Sequence, residues 1–161
     1  MSVFDTVLFD YGRMNELTIS LQSNKLFLSF GFNLPQNHKS MQHQAKSIRP
    51  FIGAKNFEES RKFYQDWGFE ETILSHNMSV FKTDGIAFYL QDAYVQDWID
   101  NSMLFLEVED IEQYWHKLVE LNLTGKYRTA RISPIKTYDW GKECFVHDPS
   151  GVLWHIGEFF E

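Results

Sequence analysis

The chain has 161 residues, a length that fits one domain with room for an appendage. Apolar residues make up 43% and charged residues 23%, which excludes a disordered or collagen-like chain. The net charge of −7 is unevenly placed: residues 1–48 hold four basic and three acidic side chains, residues 49–161 eleven and nineteen. So acidic a surface argues against a nucleic-acid partner.

Asp5 and Asp10 interrupt the first apolar stretch and no basic segment precedes it, so no secretory leader is expected. No apolar run approaches the roughly 18 residues that span a bilayer, so no membrane partner is expected either. Leu17, Ile19 and Leu21 alternate with polar residues, Ser23-Asn24 offers a turn, and Leu26, Leu28 and Phe30 alternate again, which suggests a hairpin. A second reading stays open beside it, in which Met41 is the natural start and residues 1–40 are upstream read-through. Residues 33–48, poor in apolar side chains, read as a linker. The expected division is therefore an extension at 1–46, with no chemical role, and a domain at 47–161.

That domain repeats itself. Phe51–Glu59 aligns with Phe105–Gln113 at an offset of 54: each is a short strand ending in Asn56 or Asp110, an N-cap residue followed three positions later by Glu59 or Gln113. The helices that follow place Phe57, Tyr64 and Trp67, and Ile111, Leu118 and Leu121, at matching core positions. Gly68 and Asn122 end them as residues that tolerate a left-handed backbone. Gly85–Leu90 aligns with Gly151–Ile156 at an offset of 66, the extra twelve residues lying in a longer loop around 122–139. Residues 69–83 and 128–147 leave room for two further strands per copy. The expectation is an α+β fold of two βαβββ modules, about 48–96 and 102–160.

This duplicated pattern resembles the vicinal oxygen chelate superfamily of glyoxalases, extradiol dioxygenases and bleomycin-resistance proteins. The residues that carry the likeness are Phe63–Phe69 (FYQDWGF), Phe105–Asp110 (FLEVED), Asp148–His155 (DPSGVLWH) and Trp140-Gly141. One departure is that Trp67 runs directly into Gly68, where the bleomycin-resistance branch commonly has an intervening Leu. The resemblance implies half-barrel sheets around a cleft, four metal-ligand points at strand ends, and a homodimer that pairs modules across chains.

Carried over through the repeat, those four points fall on Arg49, Tyr89, Met103 and His155. Arginine cannot ligate and a thioether is a poor ligand for a hard divalent ion, so no metal and no cofactor are expected. Strand alternation then puts Arg49, Phe51, Tyr89, Gln91, Met103, Phe105, Glu107 and His155 on the cleft side, with Trp98 and Trp140 at the rim. Arg49 and Glu107 pairing with each other is as good a reading as either meeting a ligand, and His155 is read as a satisfied core histidine, a ligand contact or a weak candidate for a catalytic base. Tyr89, Phe51 and Phe105 serve equally well as barrel filler. Trp115 and Trp154 are assigned to packing, Cys144 to an inert strand position, His116 to the surface, and His38, His43 and His76 to loops. The run Glu107–Glu112 reads as surface and cap, not as a metal site.

The function expected is that of a cytoplasmic binding protein sequestering a flat aromatic or cationic small molecule. A lyase, isomerase or dioxygenase of the same superfamily, with His155 as base and Arg49 holding an anionic substrate, is the alternative.

Overall fold

The computed structural model describes residues 16–22, 25–31 and 41–161. The chain divides after Gln44 into two compact units, each described by itself. In the first, β1 (Glu16–Gln22) pairs antiparallel with β2 (Lys25–Gly31). Leu17 lies opposite Phe30, Ile19 opposite Leu28 and Leu21 opposite Leu26, so the register gathers these positions on one face. Asp5, Asp10, the Ser23-Asn24 turn, the linker up to residue 40 and His38 lie outside the described residues.

The second unit runs β3 (Phe51–Gly53), α1 (Phe57–Trp67), β4 (Glu70–Ser75), β5 (Met78–Thr83), β6 (Ile86–Gln91) and α2 (Gln96–Asp100). It continues with β7 (Met103–Glu107), α3 (Ile111–Glu120), α4 (Leu123–Lys126), β8 (Arg131–Ile132), β9 (Lys136–Tyr138), β10 (Gly141–His147) and β11 (Leu153–Phe159). One sheet has the order β3-β6-β5-β4; the other has β7-β11-β10-β8, with β9 also on β10. The outer strands β3 and β7 each pair parallel with the last strand of their module, Phe51 beside Tyr89 and Phe105 beside His155. The fold is α+β with two βαβββ modules. Where three plain strands follow the helix in the first module, the second splits the first of its three into β8 and β9, and the twelve extra residues are spent there and in α4.

The helix ends follow local chemistry. Asn56 accepts from the Glu59 amide at 3.1 Å, and Asp110 accepts from the Gln113 amide at 2.8 Å, so both helices are capped by the expected side chains. Gly68, at φ 105°, closes α1: its amide donates to Gln65 and the Phe69 amide donates to Tyr64. That double contact is a Schellman ending, which needs the left-handed conformation glycine adopts without strain. Asn122, at φ 52°, is the left-handed residue after α3, and its amide donates to Val119.

One core serves both modules. Tyr64 of α1 is fully buried among Trp67, Phe69, Phe81 and Phe88 of its own module and Trp154 of β11. Its hydroxyl donates to the Asp148 carboxylate at 2.8 Å, and the Trp154 indole donates back to that hydroxyl. Asp148 also accepts from the amides of Ser150 and Val152, and Ser150 meets both the Lys55 amide and the Ser60 hydroxyl. The Asp-Pro-Ser-Gly turn between β10 and β11 is thus a buried clasp on the first module's helix. No helix among the described residues is long and apolar enough to cross a membrane.

Candidate functional site

Each sheet turns one face to this core and leaves the other open. On β7 the odd positions Met103, Phe105 and Glu107 are exposed and Leu104 and Leu106 point inward, as the alternation requires. On β11, Trp154 and Ile156 are buried while Leu153 and His155 lie on the open side. On the first sheet Ile52, Phe88 and Leu90 are buried, and Phe51, Tyr89 and Gln91 face out.

The second module gathers a cluster there. Phe105 lies against His155 (ring centroids 6.4 Å), Trp140 (6.3 Å) and Phe159 (5.5 Å), and Trp140 stacks on Tyr138 at 5.6 Å. Phe145, opposite His155 in the β10–β11 ladder, presents its ring edge to the imidazole at 5.0 Å. Gly157 makes room for this packing, because a Cβ there would fall 2.4 Å from the Phe105 ring. At the centre the Nδ1 of His155 meets the Glu143 carboxylate at 3.0 Å, and Glu143 is only 8% exposed. His147 lies on the same face of β10; burial, then the charges of Arg131 and His155, hold its imidazole below the ordinary range.

The first module gathers a smaller group. Phe51 stacks on Tyr89 at 4.5 Å, and the register sets Gln91 beside Gly53 and Met78. Arg49 is not on a strand: β3 begins at Phe51, after Pro50, which has no amide to donate but whose carbonyl accepts from Tyr89. Trp98, on α2, is 71% exposed and makes no aromatic contact among the described residues. Arg49 and Glu107 form no ion pair; among the described residues the one carboxylate–imidazole pair is Glu143 with His155. Sequence reasoning passed over Glu143, Phe145, His147, Tyr138 and Phe159. The alternation Gly141, Glu143, Phe145, His147 along β10 was the available signal, and it needed the register with β11 to be read.

The faces are open rather than enclosed: Phe51 is 57% and Phe105 47% exposed. Depressions of the unit lie elsewhere, one of about 620 Å³ between the Asp84 turn and the start of α3 that touches Glu107, another of about 430 Å³ that touches Arg49.

The four residues that the sequence resemblance sets at ligand points are Arg49, Tyr89, Met103 and His155. This set does not fit a divalent ion, since a guanidinium has no free donor pair and a thioether is too soft. The carboxylates of Asp110, Glu112 and Glu158 come together at the start of α3. Each has a partner there: Asp110 takes the Gln113 amide, Glu112 takes Lys142 and Glu158 takes the Ile111 amide.

No family model matches the sequence, and no curated protein does. Solved structures do. A bleomycin-binding protein from bleomycin-producing Streptomyces verticillus, complexed with copper(II)-bleomycin, is 18% identical over 74% of this chain and 100% of its own, with TM-score 0.62. TnmS3, an antibiotic binding protein from Streptomyces sp. CB03234, is 18% identical over 73% and 100%, with TM-score 0.55. Lactoylglutathione lyase from Agrobacterium tumefaciens is 16% identical over 72% and 96%, with TM-score 0.55. Over about three quarters of its length the chain thus has the fold of these bleomycin-binding, antibiotic-binding and lactoylglutathione lyase structures.

Proposed function

We propose that this protein binds a flat aromatic or cationic small molecule on its open sheet faces and sequesters it without a metal ion. The observation that carries this reading is the exposed aromatic surface of Phe105, Trp140, Tyr138 and Phe159 around a histidine held by a carboxylate. Rings stack on such a surface, and a cation gains from the π faces by about 0.5–2 kcal/mol per contact. Bleomycin-binding and antibiotic-binding proteins of the same fold support the class of ligand. The apolar faces left open by a single chain are what a second copy would cover, which makes a homodimer part of the proposal. The single cysteine, buried at position 144, suits a reducing cytoplasm.

The catalytic alternative has less to rest on, because the superfamily's Lewis-acid chemistry needs ligands that these four points do not supply. The test is metal analysis of protein purified without chelator, together with a panel of flat aromatic cations and neutrals read by equilibrium dialysis. The expected result is binding of at least one aromatic class with no stoichiometric divalent metal. One tightly held ion per chain, or no aromatic ligand at all, overturns the proposal.

A further inference from the structure

On the open face of the second module one imidazole has a buried carboxylate as its partner, and that contact narrows the ligand. Glu143, nine-tenths buried, brings its carboxylate to the Nδ1 of His155 at 3.0 Å. A carboxylate can only accept, so Nδ1 is the ring nitrogen that carries the hydrogen. When the imidazole is neutral, this arrangement leaves the lone pair on Nε2. No hydrogen bond among the described residues occupies Nε2, and no buried polar side-chain atom of these residues lacks a partner, so Nε2 is open to solvent. Around it stand Phe105 and Phe145, with Trp140 and Phe159 behind Phe105. The rings grip a guest without orienting it; the directional groups beside them are this acceptor and the Lys136 ammonium, 5.8 Å from the Phe145 ring centroid.

The geometry points to a ligand class: a flat aromatic carrying a hydrogen-bond donor, a phenol or a ring N–H, whose hydrogen is received by His155 Nε2 while Glu143 fixes the imidazole in the accepting tautomer. This inference rests on the aromatic-ligand reading above and goes beyond it by naming the group that orients the guest. Glu143 is a positioning residue, because it acts on the ligand only through the ring it holds.

The test compares 1-naphthol with 1-methoxynaphthalene by equilibrium dialysis on the full chain. Methylation adds apolar surface, so burial alone would make the ether the tighter ligand. The expected result is the reverse, with naphthol bound about tenfold more tightly, the worth of one hydrogen bond otherwise left unmade. His155→Phe keeps a ring on the wall and should abolish the preference while retaining the ether. The ring nitrogens report independently of any variant: ¹⁵N spectra of the wild type should show the hydrogen on Nδ1 of His155, and Glu143→Gln should mix the two tautomers and shrink the naphthol preference. Equal binding of the two probes, a preference that survives in His155→Phe, a hydrogen found on Nε2, or Glu143→Gln that changes neither tautomer nor preference overturns the inference and leaves the aromatic-ligand reading standing. If neither probe binds, the inference falls, and the panel of aromatic cations and neutrals decides the reading it rests on.

Discussion

Tyr64 of the first module donates its hydroxyl to Asp148 of the second at 2.8 Å, in a site that is closed to solvent on both sides. The carboxyl is thereby held at the boundary between the two repeats, with the Ser150 and Val152 amides on its other oxygen. Removing it leaves three donors unpaired in the core. Asp148→Ala should lower stability by about 2–4 kcal/mol, measured by urea unfolding, while Asp148→Asn, which still accepts from both amides, should lose far less.

The same group sets a pH dependence. Burial pushes the Asp148 carboxyl up to about 6, against the partly offsetting hydrogen bonds from Tyr64 and the turn amides. The folded chain therefore binds the proton more tightly than the unfolded chain, for which the group titrates near 4. Between about pH 4 and pH 6 this group makes stability fall as pH rises, by a total on the order of 3 kcal/mol. Below that window its charge is absent from both states, and above it the loss is complete. Asp148→Asn cannot titrate, so the stability difference between wild type and variant should change across this window and be flat outside it, as read by unfolding curves at pH 4 and pH 7.5.

Gly157 is the position on which the aromatic face depends. An added methyl would lie 2.4 Å from the Phe105 ring, so Gly157→Ala must push that ring off β11. The expected cost is about 1–3 kcal/mol in thermal unfolding, together with weakened binding of any aromatic ligand held on that face. A variant that is destabilised yet binds unchanged would remove Phe105 from the site.

The two helix caps allow a control on the duplicated scaffold. Asn56→Ala and Asp110→Ala should each cost about 1 kcal/mol and the double variant about 2, because the caps belong to separate helices.

Cys144 should be unreactive. It is fully buried on β10, and burial followed by the charge of Glu143 pushes its thiol up to about 11. A thiol reagent at pH 8 should label it only after denaturant unfolds the chain.

Most of the scaffold could be read without coordinates because its determinants are local. Asn56 and Asp110 act on amides three residues away, Gly68 acts on its own φ, and the inward and outward sides of β7 and β11 follow from period-two alternation. The open face was legible only in part, because its chemistry is set by register between strands. Glu143 and His155 are twelve residues apart and meet because β10 pairs with β11 with Phe145 opposite His155, which no spacing rule states. The longer connection of the second module also shifts the repeat, so β10 has no clean counterpart by offset and its outward row is not legible from the repeat. Arg49 lies off the strand that alternation assigns it for a local reason, since Pro50 delays the start of β3. The Arg49–Glu107 pair did not form, and Trp98 stands on α2 away from the ring cluster.

The clasp made by the Asp148–Gly151 turn on α1 has a further consequence. What joins the two repeats is the shared packing of Tyr64, Trp67, Phe69 and Phe88 around Trp154, closed by Asp148 and Ser150, and not the short connection through α2. A backbone cut between Asp92 and Gln96 would sever the chain without touching that contact. The two fragments should stay associated through gel filtration and, expressed separately, find each other again, which makes this protein a natural split pair whose halves report on one another's folding.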